Sequence, residues 1–409
     1  MSVETAVHAV LLQDKIVGHI HQAGDVARFI FDESYWADPN RHVLGLYFED
    51  NPSVSPQAAN KLPCWFSNLL PEGKLRDFIA EDAGVKLSRE LQILLRIGED
   101  LPGAVRVVRD VDSEIDVSQL ADVADSDQNG LQDDYLWKFS LAGVGMKLSM
   151  LRAEDRLTMP ASDELGNWIV KFPTPEFAHV PENEFAMMSI ASRVGIEVPQ
   201  IRLVHRNQLP WLSAKVWPKG EELAFAIERF DRDTAGGRIH IEDMAQVQNK
   251  YPQDKYSGNF ESVAGLFYRG VDRRSLEEFI RRLVLNMLVG NGDAHMKNWS
   301  LIYRDGVRAT ISPAYDIVCT GAYYSDRAPD DLGLKFNKRK EFSSISRGGF
   351  ERIAFKLKLD PAVILDVVDE TLQLFEETWQ DQQIKKLVPS NIEGWLGRHS
   401  QQTLRLLSA

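Results

Sequence analysis

Cysteine is scarce in this chain: Cys64 and Cys319 are the only two in 409 residues. They stand far apart and neither has CxxC or Cys/His spacing around it. That argues against a disulfide framework and a structural zinc site, and a reducing cytoplasm is the expected location. Long apolar runs are also missing. None approaches the roughly 20 residues that a membrane span needs, so no membrane partner is expected. The opening stretch MSVETAVHAVLLQDK lacks a basic start and a long apolar segment, so no secretory signal is expected. Positive charge is in deficit, with a formal net charge of -13. Such a surface disfavours nonspecific nucleic-acid binding as a whole but leaves room for a local basic patch. Lys335, Lys338, Arg339, Lys340 and Arg347 form the densest one. Low complexity is confined to an acidic stretch at 110–134, which contains no Lys or Arg and reads as a connector.

What is present is a chain long enough for two or three domains. The first part, 1–109, opens with strand-like runs at Ala6–Leu11, Lys15–His21 and Asp25–Phe31 and continues with helical segments near Pro71–Glu81 and Ser88–Gly98. After the connector, 135–230 is β-rich, with strands expected at Tyr135–Ser140, Lys147–Leu151 and Trp168–Phe172. From 231 to 409 the sequence reads as helical. Ser275–Glu278 reads as a capping box ahead of an apolar face made by Phe279, Leu283 and Met287 with Ile280, Val284 and Leu288. Asp360–Pro361 and Ser390–Glu393 mark two further helix starts.

The chemistry-bearing stretch is GNGDAHMKNWS, which follows that apolar helix and puts Asp293 five residues before Asn298. Kinases need this pairing: an Asp to orient and deprotonate the attacking hydroxyl, then an Asn to hold magnesium. The same pair also caps turns. A second acid, Asp316, follows in the strand-like setting SPAYDIVCT. Two oxygen ligands from separate segments suit Mg²⁺. Upstream, Gly143 and Gly145 flank Val144 after Ala142, between two expected strands, where backbone amides can approach phosphates or a plain hairpin can turn. Lys171 sits on the strand WIVKFP and needs a charge partner if it is half-buried. The next helix, opening at Pro181, offers Glu184 in its first turn. Glu228-Arg-Phe-Asp-Arg232 closes the apolar run Leu223–Ile227, where a kinase hinge or an ordinary charged turn would lie.

Singly, each element has an ordinary structural explanation. Their order is that of a protein kinase: glycine loop, strand Lys, helix Glu, hinge, Asp–Asn, then Asp. The fold expected is α+β and two-lobed, with a β-rich N-terminal part and an all-helical C-terminal lobe. HRD, DFG and APE are all missing. The chain resembles the HipA-type toxin kinases along nearly its whole length. The resemblance is carried by SNLLPEGKLRDF, FSLAGVGMKLSML, VPENEFAMMSIASRVGIEVP, FAIERFDR, EDMAQVQNKYPQDKY, FIRRLVLNMLVGNGDAHMKNWSL and SPAYDIV.

The resemblance implies a toxin serine/threonine kinase that uses ATP and Mg²⁺. It makes Asp293 the catalytic base and Asn298 and Asp316 the metal ligands. Lys171 would contact the ATP phosphates with Glu184 nearby, and Glu228 and Phe230 would flank the adenine. Ala142, Gly143, Val144 and Gly145 match the family's phosphate loop, and Ser140 matches its autophosphorylated serine. Where the family usually continues Gln-Glu-Lys, this chain has Val144-Gly-Met-Lys147, which puts phosphate contacts within the loop in doubt. His295 reads as a packing or loop-orienting residue. The implied partners are a helix-turn-helix antitoxin, operator DNA bound with it, and a protein substrate in translation, such as an aminoacyl-tRNA synthetase. Lys338 and Arg339 are the candidate DNA contacts. Two other readings stand beside this one: an inactive or weakly active kinase-fold corepressor that holds antitoxin and DNA, and a small-molecule kinase.

Overall fold

A computed structural model describes residues 5–97, 100–109, 146–153, 156–160, 164–212, 216–324 and 331–408. The connector 110–134, the expected strand Tyr135–Ser140, Ser140 itself and the glycine segment Ala142–Gly145 lie outside the described residues.

The N-terminal strands run as alternating sequences predict. β1 (Thr5–Leu12), β2 (Lys15–Ala23), β3 (Val26–Phe31), β4 (Gln57–Ala59) and β5 (Val105–Arg109) form an antiparallel sheet in the order β4-β3-β2-β1-β5. Short helices, among them Gly73–Asp82 and Glu90–Ile97, cover it. A second antiparallel sheet has the order β7-β6-β8-β10-β9, built from β6 (Lys147–Ala153), β7 (Arg156–Thr158), β8 (Trp168–Lys171), β9 (Ile201–His205) and β10 (Leu223–Glu228).

This second sheet is buried on both faces, and strand alternation sorts its residues between two cores. Trp168, Val170, Ala224 and Ala226 join the N-terminal core with Phe29, Trp65 and Phe66. Phe225 and Ile227 join the helical core, against which Ile169 packs. Lys171 is two residues on from Ile169, so it faces the helical side, where the helix Val180–Arg193 packs on β9 and β10.

The C-terminal lobe is mainly helical but not all-helical. Its central helix, Arg273–Leu288, packs against Pro361–Gln380 and Ser390–Ser408. It also contains strands that the sequence reading passed over. β11 (His240–Asp243), β12 (Ser300–Tyr303) and β13 (Thr310–Ile311) form a small sheet, and β14 (Asp331–Phe336) pairs with β15 (Arg339–Glu341) in a hairpin. These strands run only two to six residues, too short to show a period.

Three local expectations shift. The central helix is capped by Asp272, whose carboxylate accepts the Ser275 N–H, rather than by Ser275 with Glu278. The helix Val180–Arg193 begins before Pro181, so its first turn carries Glu182 and its second carries Glu184. Asp316 is not on a strand: its φ of 56° is left-handed and breaks extended structure.

Candidate active site

The site begins at the strand face that alternation assigns to Lys171. Its ammonium donates to Glu184 Oε1 at 2.5 Å and also contacts Asp316 Oδ1. It lies over the Phe225 ring, whose residue is its cross-strand partner. Three charges therefore meet here. Burial disfavours the Lys171 charge, but Asp316 and Glu184 outweigh that and hold the amine above its ordinary value. Burial, with the charge of Asp316 added, pushes the more deeply placed Glu184 up to about 7 against the pull of Lys171. Burial would raise Asp316 as well, yet Lys171 and Lys147 hold it at about 2.

Lys147 is a residue the sequence reading did not assign to the site. It stands opposite Lys171 across the β6–β8 pair and is buried. Burial pushes its amine down to about 8; the neighbouring Lys171 adds to this and Asp316 opposes it. The readable signal was its period-two match with Ser149 and Leu151 on a strand beside β8.

The loop that carries Asp293 and Asn298 hangs between the central helix and β12. Gly290 ends the helix with φ of 64°, tightly against Trp395, so a side chain there would be strained and would clash. Asn291 is buried and acts as a hub. Its Nδ2 donates to Asn286 Oδ1 at 2.7 Å and to the Asp316 carbonyl at 3.3 Å, and its Oδ1 accepts the Asp293 N–H at 3.1 Å. The Asp293 side chain is half exposed, at 51%. Its Oδ1 accepts the Tyr256 hydroxyl at 2.5 Å and lies 3.8 Å from His295 Nε2. His295 is buried, and burial keeps its pKa below the ordinary value despite Asp293. Asn298 Nδ2 donates to the Asp293 carbonyl at 2.7 Å, which leaves its side-chain oxygen as the free acceptor. Asn291, Ala294, Asn298, Tyr315 and Asp316 line one small cavity.

The loop is also held from the N-terminal part of the chain, which sequence spacing did not reveal. Lys297, 3% exposed, donates to Asn68 O at 2.8 Å and Asn68 Oδ1 at 3.1 Å and lies 3.2 Å from Asp243 and 3.6 Å from Glu72. Glu72 also accepts from Lys255 at 2.8 Å. Asn68 and Glu72 belong to SNLLPEG, so that segment acts as a brace under the Asp–Asn loop.

A HipA N-terminal domain model matches residues 8–108 and a HipA-like C-terminal domain model matches 139–379. The chain belongs to the HipA family. Its relatives include the Sinorhizobium fredii protein Y4dM, 38% identical over 369 residues, covering 88% of this chain and 87% of that one. The serine/threonine-protein kinase toxin HipA of Shewanella oneidensis is 27% identical over 297 residues, covering 65% and 64%. HipA in the solved Shewanella oneidensis complex of HipA, HipB and operator DNA matches with a TM-score of 0.72. At 20% identity, and covering 97% of this chain and 96% of that one, it shares the fold.

The remaining assigned residues of this HipA-family chain fall as follows. Glu228 ends β10, with its N–H on Gln200 O at 2.9 Å. Phe230 is half-buried, 5.7 Å from the Tyr315 ring beside Asp316. The rest of that turn is not a solvated charge cluster. Arg229 and Arg232 are 0% and 2% exposed and pair with Asp100 and Asp231. This network ties the N-terminal part to the second sheet. Lys338 and Arg339 lie exposed at the turn of the β14–β15 hairpin. Gly333 of that hairpin packs on the Ala294–His295 backbone with no room for a side chain. Lys340 bonds Gly333 O at 3.3 Å, and Arg347 pairs with Asp369. Among the described residues, no helix is long and apolar enough to cross a membrane.

Proposed function

We propose that this chain is a Mg²⁺- and ATP-dependent serine/threonine protein kinase acting as the toxin of a toxin–antitoxin module. One observation carries the reading: Lys171 is gripped by Glu184 and Asp316, while the Asp316 carbonyl and the Asp293 amide share the Asn291 side chain. A phosphate-binding amine, a carboxylate ligand and a base are thereby tied to one loop.

In this reading the acceptor hydroxyl gives its proton to Asp293 as its oxygen attacks the γ-phosphorus, and ADP leaves. Asp293 already accepts an O–H, from Tyr256, whose hydroxyl stands in for that of the acceptor. Lys171 and Lys147 face the phosphate charge. The donor set fits a hard cation, since Asp316 is held ionised and Asn298 presents an oxygen. Mg²⁺ held by Asn298 and Asp316 would neutralise phosphate charge. Glu228 and Phe230 would border the adenine. Ala142–Gly145 would cover the phosphates, and Ser140 would be the site of self-phosphorylation.

The target is inferred to be a translation protein, such as an aminoacyl-tRNA synthetase. The restraining partner is inferred to be a helix-turn-helix antitoxin of the kind suggested by HipB in the Shewanella complex, with operator DNA. Lys338 and Arg339 are the proposed DNA contacts. An inactive corepressor would have no need to keep Lys171 on Asp316 and Asn298 on the Asp293 carbonyl, and the retention of all four supports activity. A phosphoproteome of cells briefly expressing the chain, against Asp293→Asn, tests the proposal. A translation protein and Ser140 phosphorylated only with the unaltered chain would support it. Identical phosphoproteomes would refute it.

A further inference from the structure

Two carboxylates and an imidazole meet at the start of the helix Val180–Arg193, in a cluster that the proposed phosphoryl transfer does not use. His179 precedes the helix, Glu182 lies in its first turn, and Glu221 comes from the turn that leads into β10. One ligand atom from each lies within 4.8 Å of the other two. His179 Nδ1 is 3.1 Å from Glu182 Oε1 and 4.0 Å from Glu221 Oε2.

Half of the carboxylate oxygens have an ordinary explanation. Glu182 Oε1 faces the imidazole, and Glu221 Oε1 accepts the His179 backbone N–H at 3.1 Å. The other half do not. Glu182 Oε2 and Glu221 Oε2 are both buried and accept no hydrogen bond. The Glu221 side chain is only 9% exposed. Among the described residues, neither acid forms an ion pair with a Lys or Arg; each has only His179. A buried, ionised oxygen without a donor is costly. The helix dipole accounts for an acid in the first turn. It does not account for Glu221, which arrives from a different segment.

We propose that His179, Glu182 and Glu221 bind a zinc-type divalent cation that ties the start of the Glu184-bearing helix to the turn before β10. Two carboxylates and one divalent ion balance in charge, and the orphaned Glu221 Oε2 gains a partner. Zinc bound at about 2.0–2.2 Å sets neighbouring tetrahedral donors about 3.3–3.6 Å apart. The observed 3.1 and 4.0 Å lie on either side of that range, and the carboxylate oxygens of the two acids lie within 4.8 Å of each other. An imidazole nitrogen with two carboxylates suits Zn²⁺ better than Ca²⁺, which collects six to eight oxygens, or Mg²⁺, which keeps its waters. Water would take the fourth position, since the His179 side chain is 46% exposed. Glu182 stands two residues before Glu184, so the ion would steady the helix that holds Lys171. That last consequence rests on the kinase reading; the binding itself does not.

Zinc chloride titrated calorimetrically into the metal-stripped full chain, with Mg²⁺ in the buffer, tests the site. One saturable equivalent is expected. Glu221→Gln keeps an oxygen for the His179 N–H, and His179→Gly suits the positive φ of 60° there. Each should weaken that equivalent by more than the about 10–100-fold that loss of an outer-shell partner costs, and thermal melts without zinc should match the unaltered chain. In the unaltered chain, zinc should also shield His179 from carbethoxylation mapped by mass spectrometry. No saturable equivalent, equal zinc affinity in all three proteins, or an unshielded His179 would each overturn the proposal. Phosphorylation is assayed separately with Asp293→Ala, so a failed kinase reading leaves the zinc result standing.

Discussion

Glu184→Gln separates charge from shape at the centre of the site. The amide keeps the size of the side chain and an oxygen for Lys171, but the contact at 2.5 Å loses its negative charge. The amide still bonds the Lys171 ammonium, so the variant gives up only part of the about 1.5–3 kcal/mol that a hydrogen bond to a charged group is worth. A loss of about 1–2 kcal/mol predicts a fall of about 5- to 30-fold in kcat/KM for ATP, because Lys171 then keeps only Asp316 as an anionic partner. Stability should move the other way, and the sign follows from the raised pKa. Glu184 titrates near 7 in the fold and near 4.5 when unfolded. Between those values the folded chain keeps a proton that the unfolded chain has released, so wild-type stability declines as pH rises through about 4.5 to 7. Glu184→Gln removes that decline, and its stability relative to wild type should grow across the window and level off above it. Single-turnover phosphorylation with labelled ATP, and denaturant titrations at pH 5 and 7.5, measure the two effects. An undiminished kcat/KM would refute the positioning role of Glu184. A stability difference that ignores pH across the window would refute the burial argument.

Asp316→Asn should remove most of the Mg²⁺ dependence of ATP binding, measured calorimetrically with and without the metal; unchanged dependence would take Asp316 out of the metal site. Asn68→Ala leaves Lys297 short of one acceptor in a buried setting and should cost about 1–3 kcal/mol in a denaturant titration. No loss would mean that the brace is not under load. Replacing Lys338 and Arg339 together by Ala should flatten the salt dependence of DNA binding by the antitoxin complex by about two units of slope, one for each lost phosphate contact. An unchanged slope rejects DNA contact at the hairpin.

The parts of the site that were legible in the sequence carry strong local signals. Lys171 sits in an apolar strand stopped by Pro173, and Pro181 announces the Glu184 helix. The long apolar face ending at Gly290 announces the Asp293 loop. Order along the chain then suggested the proposed roles, because each element is read within a few residues. What was illegible joins distant segments. Lys297 meets Asn68 across 229 positions, and Arg229 meets Asp100 across 129. Nothing in the local pattern of ERFDR distinguishes a solvated turn from a buried network. Asp316 was read as strand because SPAYDIVCT is apolar around it, while its left-handed backbone comes from tertiary contacts such as the Asn291 bond to its carbonyl. The Ser275 cap was misread because Ser275–Glu278 fits a capping box, yet Asp272 offers a charged acceptor one turn earlier.

Transfer of label from γ-labelled ATP in the presence of Mg²⁺ tests the central claim most directly, with Asp293→Ala as the comparison. The Asp293 side chain is half exposed, so its loss leaves no core cavity and the melting temperature should hold. The unaltered chain should become covalently labelled, and the variant should be slower by about 10²–10⁴-fold, the usual worth of a general base. Labelling of a well-folded Asp293→Ala at close to the unaltered rate would contradict the account.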